Sequence, residues 1–287
     1  MSRDAILLLG GTGFIGSALA RRLRQEEARV YVFGRHDGER LEQVLPQCGT
    51  IIHLASSTTP GSSATHPDQE LGNIALSLHL LELIQKQPKT HLVFFSSGGT
   101  VYGNPGQLPV TEDAPIAPLS NYGSGKASQE SFFQTFRDQG NAVTILRPSN
   151  AYGPGQNMRN GFGLVRTMLE CARVGRPMEI WGDGNNVRDF IYIDDIVDVC
   201  AQLITRPDDN ETYNLGSGAG HSINQLHCIV EQVTGKALAT KHHSARGIDV
   251  RAVVLDNTRL AATLAWSPKT MLEDGVKKTW EWVTQQP

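Results

Sequence analysis

The most constraining stretch of this 287-residue chain lies at its start. An apolar run, Ile6 to Leu9, enters the cluster Gly10-Gly11-Thr12-Gly13-Phe14-Ile15-Gly16, and Ser17 to Arg24 follows with Leu19 and Leu23 at helical spacing. Strand, glycine turn and helix in immediate succession are the opening of a strand-helix-strand unit. The strand signal recurs at Val30 to Phe33, Ile51 to Leu54, Leu92 to Phe95 and Val143 to Leu146, with helical patterns between several of them. Such alternation predicts a parallel sheet covered by helices on both faces. The clearest intervening helices are Asn73 to Gln87, whose Leu76, Leu80, Leu83 and Ile84 read as core, and Ser124 to Gln139.

After Leu146 the texture changes to Arg147-Pro148-Ser149-Asn150-Ala151-Tyr152-Gly153-Pro154-Gly155, a run of turn formers of the kind that carries binding loops. A smaller second lobe is expected from there. Leu164 to Val174 reads as helix, Glu179 to Trp181 as strand, Asp194 to Ile204 as helix, and Tyr213 to Leu215 as a return to the sheet. Met271 to Gln285 closes the chain as a packing helix with Leu272, Val276, Trp280 and Val283 on one side. The expected division is residues 1–153 as the first domain, with 187–216 returning to it, and 154–287 mostly as the second lobe.

Composition narrows the partners. A formal net charge of −3 supplies no global field for nucleic acid or an anionic membrane, so an anionic ligand has to be met by local arginines. No apolar stretch approaches the roughly 20 residues that span a bilayer. The four cysteines, Cys48, Cys171, Cys200 and Cys228, are far apart, without CxxC or His spacing, and read as core thiols in a reducing cytosol with no metal site. The sequon at Asn210 reads as a chance match in that setting.

Glycines at 10, 13 and 16 permit a tight turn, close approach of backbone to a pyrophosphate, and close packing of helix on strand; the helix start then offers free N–H groups to phosphates. In this setting the loop is read as a dinucleotide site instead of a plain tight turn. Tyr122 and Lys126 stand four apart on one face of the helix that begins there. An ammonium beside a phenol lowers the phenol from its usual value near 10 and suits it to general base work. The alternative, a Tyr and a Lys on a surface helix, loses ground once the glycine loop is present.

The phrases LLLGGTGFIGSALA, IIHLAS, VFFSSGGTVYG, NYGSGKASQE, LRPSNAYGPGQ, GDGNNVRDFIYIDDIVD and YNLGSGAGHSINQL resemble those of the extended short-chain dehydrogenase/reductases, and within them the UDP-galactose 4-epimerase-like nucleotide-sugar enzymes. RGIDVRAVVLDNTRL and LAWSP extend the resemblance over nearly the whole chain. It implies a Rossmann-type, doubly wound α/β fold with a smaller C-terminal substrate-binding lobe, a cytoplasmic enzyme, and a homodimer paired through the helices Asn73 to Gln87 and Ser124 to Gln139. It implies NAD or NADP held at Gly10, Thr12, Gly13, Phe14, Ile15, Gly16, Arg35, Leu54, Ala55, Asn73, Tyr122 and Lys126. It also implies that Tyr122 takes a proton from a sugar hydroxyl while hydride passes to the nicotinamide, with Lys126 holding the ribose and tuning Tyr122. A nucleotide-sugar would meet Asn150, Arg188 and Arg246, with Arg251 as a neighbour able to replace Arg246 and with Asp189 or Asp183 as structural partners for Arg188.

Three departures from the family pattern stand out. Where relatives carry a Ser or Thr four residues before Tyr102, this chain has Gly98, so the polarising hydroxyl falls to Ser97, with Thr100 in reserve. The stretch Gly34 to Thr50 is short, and one strand-helix unit near the adenine pocket is trimmed. The second strand ends in Gly34-Arg35-His36; an arginine there accepts an NADP 2′-phosphate, whereas Asp37 could hold the NAD ribose instead. Two enzymatic readings share the site: a 4-epimerase that returns the hydride it takes, and an NADPH-dependent reductase of a 4-keto nucleotide sugar. A 4,6-dehydratase is disfavoured by Gly98-Gly99 where a carboxylate pair would stand, and a non-catalytic dinucleotide-binding protein by retention of Tyr122 and Lys126.

Overall fold

The computed structural model describes residues 4–87, 90–158 and 163–286. The first strand, Ala5–Leu9, is buried at every position, as are His91–Phe95 and Val143–Pro148. Uninterrupted burial belongs to strands with both faces covered, which is where a run of aliphatic residues without polar alternation is stable. A six-stranded sheet results, ordered Val30–Phe33, Ala5–Leu9, Cys48–His53, His91–Phe95, Val143–Pro148 and Thr212–Leu215. The first strand is parallel to both neighbours, and Leu9 stands opposite Phe33 on one side and His53 on the other.

Only a 3-10 turn at Gly38–Arg40, a four-residue helix at Leu41–Val44 and a second 3-10 turn at Leu45–Gln47 join the second strand to the third. The sheet order is that of a dinucleotide-binding sheet lacking its outermost strand, which is the trimmed unit expected from the short Gly34 to Thr50 stretch. The strand order reverses beside Ala5–Leu9, so its carboxyl end and that of Cys48–His53 flank the crevice where such sheets bind ligands.

The helices Phe14–Gln25, Gln69–Gln85 and Asn121–Asp138 each begin three or four residues before the apolar periodicity does. Each first turn carries a glycine, Gly16, Gly72 or Gly123, that interrupts the apolar spacing. Helices Gln69–Gln85 and Asn121–Asp138 pack on one another. Leu80, Leu83 and Ile84 are buried, joining Phe94, Phe133 and Phe136 in the core of the sheet's helical layer.

Two compact units divide the chain. The first takes residues up to Ser97, then Asn121–Arg147 and Ile196–Tyr213; the second takes Gly98–Ser120, Pro148–Asp195 and Asn214 onward. The segment returning to the first unit is thus 196–213, within the 187–216 expected, and 98–120 belongs to the second. In the first unit Arg147 and Glu130, both nearly inaccessible, form a forked pair: Nη2 to Oε2 at 2.7 Å and Nε to both carboxylate oxygens at 3.1 Å.

The second unit holds a three-stranded sheet, Gly220–Ser222, Val187–Tyr192 and Asn150–Tyr152, and the parallel pair Thr240–His243 with Met178–Trp181. Helices Leu164–Val174, Ile223–Thr234 and Leu272–Thr284 pack together beside them. Ile223–Thr234 was not expected from hydrophobic spacing. Its signals are at its ends, where Ser222 and Gln225 form a reciprocal capping box and Gly235 closes the helix at φ +66°. Buried Asp189 organises this unit: Oδ1 accepts from Ser149 Oγ, Ser217 N and Ser217 Oγ, and Oδ2 accepts from Gly218 N and Leu255 N, at 2.7–3.2 Å.

Cys48, Cys171 and Cys200 are buried free thiols, but Cys228 is exposed, because it lies on the outer side of the unexpected helix. Among the described residues no helix is long and apolar enough to cross a membrane.

Two imidazoles sit inside the first unit. Burial, helped by the charge on Lys126, pushes His53 down to about 3, and burial lowers His91 against the pull of Asp209 and Asp208. Both are therefore neutral in the fold, whereas in the unfolded chain they take up a proton near pH 6.5. The unfolded state binds more protons at acid pH, so this stability is complete above about 6.5 and declines as pH falls towards the folded values, by about 1.4 kcal/mol per pH unit for each group. The urea midpoint should drop between pH 7 and 5, and His53→Gln should flatten that slope; equal slopes for the two proteins would remove the assignment.

Candidate active site

At the carboxyl end of the first strand the glycine loop is fastened by backbone hydrogen bonds, with Ser17 Oγ adding a 3.5 Å contact to Gly11 O. Gly10 N and Gly11 N both donate to Phe33 O at 2.9 Å, and Gly13 N donates to Gly10 O at 3.0 Å. Gly10 has φ +88°, and a Cβ there would lie 2.6 Å from Ala55 N; one on Gly16 would lie 2.5 Å from Gly10 O. No other residue type fits either position. Gly13 caps the helix Phe14–Gln25 without a side-chain acceptor, and the first turn carries no acid. Its N–H groups therefore remain for an anion, with the positive end of the helix dipole behind them.

The residues expected to contact a dinucleotide lie about this turn. Thr12 is exposed, and Phe14, Ile15, Leu54 and Ala55 are half-buried. Leu54 N donates to Leu9 O at 2.8 Å, which brings the end of the third strand against the loop. At the end of the second strand Arg35 is exposed, while Asp37 folds back so that its Oδ2 accepts from Gly34 N at 2.8 Å. A carboxylate thus occupies the strand end where ribose hydroxyls are held. The bare loop, the uncapped helix start and this carboxylate fit a dinucleotide.

Asn73 is buried and its amide is fully used: Oδ1 accepts from Ser57 N and Oγ, and Nδ2 donates to Thr58 Oγ1 and Glu70 Oε2, all at 2.8–2.9 Å. It clamps the loop that follows Leu54 and Ala55.

Tyr122 and Lys126 stand on the first turns of Asn121–Asp138. Lys126 is 4% exposed, with Nζ donating to Phe95 O at 2.9 Å and lying 4.9 Å from the centre of the Phe94 ring. Burial pushes its ammonium down to about 8, although Glu70 and Glu130 pull it up. The phenol of Tyr122 was expected below its usual value. It lies above it in this structure, first because it is desolvated and then because the Glu70 carboxylate opposes a phenolate. Ser97 follows the strand His91–Phe95, half-buried, in the same unit. Thr100 belongs to the short helix Gly98–Val101 of the second unit.

In the second unit Asn150 Nδ2 donates to Asp189 O at 3.1 Å. Arg188 is half-buried, its guanidinium lowered by burial, and donates from Nη1 to Val187 O at 2.9 Å. Neither structural partner considered for it takes it: the Asp189 carboxylate serves serines and backbone N–H groups, and Asp183 binds Asn185. Arg246 is exposed, forked onto Asp249 at 2.9 and 3.0 Å and placed 4.6 Å over the ring of Trp181. Arg251 is exposed, anchored by its N–H to Asn104 Oδ1 at 2.7 Å. Glu70 and Trp181 lie outside the quoted phrases, and the partners of Asp189 and Asp249, which lie inside them, are set by tertiary contacts that spacing does not show.

Comparison with known proteins agrees with this geometry. Residues 6–216 match the NAD dependent epimerase/dehydratase family. A UDP-glucose 4-epimerase of Mycolicibacterium smegmatis is 30% identical, with 96% of this chain and 97% of the relative covered. A dTDP-4-dehydro-6-deoxyglucose reductase of Escherichia coli is 26% identical over 96% of each. The crystal structure of a UDP-glucose 4-epimerase from Thermotoga maritima with UDP-glucose superposes at a TM-score of 0.89 and 32% identity, covering 98% of this chain and 99% of that one. A glycine loop closed to any side chain, a half-buried Tyr122 one helical turn before a buried Lys126, and these likenesses converge: the chain belongs to the NAD dependent epimerase/dehydratase family and is an enzyme of the extended short-chain dehydrogenase type.

Proposed function

We propose that this enzyme is a nucleotide-sugar 4-epimerase that retains NAD through the catalytic cycle. The observation that carries the reading is the carboxylate of Asp37, turned onto Gly34 N at the end of the second strand. A carboxylate there accepts from ribose hydroxyls and repels a 2′-phosphate, which favours NAD over NADP, although Arg40 Nη1 lies 3.4 Å from its Oδ1. Arg35, exposed beside it, is the feature that favours the reductase reading.

NAD bound at this loop would supply the hydride acceptor and donor for the sugar carbon. Tyr122 Oη takes the proton of the sugar hydroxyl and gives it back. Lys126, an ammonium below about pH 8, stabilises the phenolate and donates to the ribose. Ser97 is assigned the polarising hydroxyl, with Thr100 as the alternative. The backbone of Gly10, Gly13 and Gly16 and the N–H groups of Thr12, Phe14 and Ile15 receive the pyrophosphate, Leu54 and Ala55 line the approach, and Asn73 holds their loop in place. Asn150 and Arg188 are assigned to the nucleotide-sugar; Arg188 brings a half-buried cation that no acid forks among the described residues. Arg246 or Arg251 completes the diphosphate contact, Arg246 by exchanging Asp249 for phosphate oxygens.

The first test is to purify the protein without added cofactor, denature it and identify the dinucleotide released. Stoichiometric NAD is expected; empty protein that prefers NADPH over NADH would replace the epimerase by the reductase. Assayed with a UDP-hexose, Tyr122→Phe should lower kcat by about 10²–10⁴-fold while leaving bound NAD unchanged, and full turnover in that variant would overturn the catalytic assignment.

Leu71 and Leu78, seven apart on Gln69–Gln85, are 69% and 42% exposed, and Phe132 on Asn121–Asp138 is 39% exposed. Apolar side chains on this helix pair suit a homodimer built on it. Light scattering should give twice the 31.3 kDa chain mass, and Leu78→Glu with Phe132→Glu should halve it; a monomeric wild type removes the proposal. The four unpaired cysteines suit a reducing, cytoplasmic setting.

A further inference from the structure

The helix that carries Tyr122 and Lys126 has a glycine between them, Gly125, at a position where glycine costs about 1 kcal/mol relative to alanine. The structure shows what uses the space. A Cβ on Gly125 would lie 2.5 Å from Glu70 Oε2, 2.9 Å from its Cδ and 3.1 Å from its Cγ. The missing methyl group is the room taken by a carboxylate that reaches across from the neighbouring helix.

That carboxylate is 7% exposed. Oε2 accepts from Asn73 Nδ2 at 2.9 Å, Oε1 is buried with no hydrogen-bond partner, and among the described residues no ion pair reaches it. A buried carboxylate left this way is costly, and a fold that keeps one needs a compensating charge or a use for it. The Glu70 carboxylate raises the ammonium of Lys126 and opposes a phenolate at Tyr122. Glu130, one turn beyond Lys126, also acts on the ammonium but is forked onto Arg147. From the sheet side His53 is neutral and adds no charge.

Resting on the reading of Tyr122 and Lys126 as the acid-base pair, we propose that Glu70 is a positioning residue whose buried charge, admitted by Gly125, balances Lys126 and sets the pH range over which Tyr122 exchanges a proton with the sugar. Glu70 touches neither sugar nor cofactor in this role; it acts through the two residues that do. An anion beside both groups makes each of them harder to deprotonate. Removing it should therefore move both transitions to lower pH.

The test uses Glu70→Gln, which keeps the shape and the acceptor facing Asn73 but not the charge. In turnover of a UDP-hexose, the acid limb of kcat/KM should move down by about one pH unit. In the absence of sugar, the affinity for NAD should begin its alkaline decline about one unit lower, as Lys126 loses its proton earlier. Glu70→Asp, which keeps the charge, should restore both profiles. If Glu70→Gln does not fold, Glu70→Ala with Gly125→Ala fills the vacated space and carries the same expectation. Profiles that coincide with the wild type in a folded, charge-free variant overturn the proposal. Tyr122→Phe separates the two failures: if it abolishes turnover while the Glu70 profiles stay put, only the role of Glu70 is lost, and if it turns over normally the acid-base reading itself is gone.

Discussion

An ammonium group held at 4% exposure sets terms for everything near it. Lys126 would shed its proton or the fold would open, unless the interior supplied what water no longer does. Here the interior supplies the Phe95 carbonyl, the face of Phe94 and two carboxylates on adjoining helices, and the group still falls only to about 8. That arrangement fastens Asn121–Asp138 to the last residue of the strand His91–Phe95 and, through Glu70, borders the polar cluster of Asn73 and Ser57. The helix bearing Lys126 is tied to the sheet by its charge as well as by its apolar face.

The second unit meets a similar demand by another route. Asp189 is buried without a cation, and its oxygens are solvated by backbone N–H groups and two serine hydroxyls drawn from separate stretches of chain. Burial still raises it above its usual value, so these donors offset the desolvation only in part. Because the donors come from the loops after Leu215 and before Asp256, one carboxylate fixes the mutual placement of the strand bearing Arg188 and the segments beside it. Asp189, considered as a structural partner for Arg188, is thereby spent on architecture, and Arg188 donates to Val187 O instead.

What the sequence made readable was local. The glycine loop, the strand following it and the Tyr-Lys pair each fit within a few residues, so their spacing carries the physics: positive φ at Gly10, a bare helix start at Gly13, one helical turn from 122 to 126. Nothing local marks Glu70, since its partners Gly125 and Tyr122 are about fifty residues away and carboxylates on helices are usually solvated. The direction of the Tyr122 shift was misjudged for the same reason: the helpful ammonium is adjacent in sequence, while burial and the opposing carboxylate are tertiary. Ile223–Thr234 is a different kind of miss, because Ser222, Gln225 and Gly235 announce its ends in sequence. Reading caps alongside periodicity would have placed it, and with it the exposure of Cys228.

The division into units has a consequence for how the protein is made. The chain passes between the units at 97/98, 120/121, 147/148, 195/196 and 213/214, and the last strand of the large sheet is Thr212–Leu215. A ribosome that has released the first hundred residues has delivered a nucleotide loop and several strands but not the sheet they belong to. The N-terminal unit is therefore not a vectorial folding module: its closing strand emerges only after three-quarters of translation, and its hydrophobic edge must wait for it. A chain made only as far as residue 150 therefore leaves the edge of Val143–Pro148 without the strand that covers it.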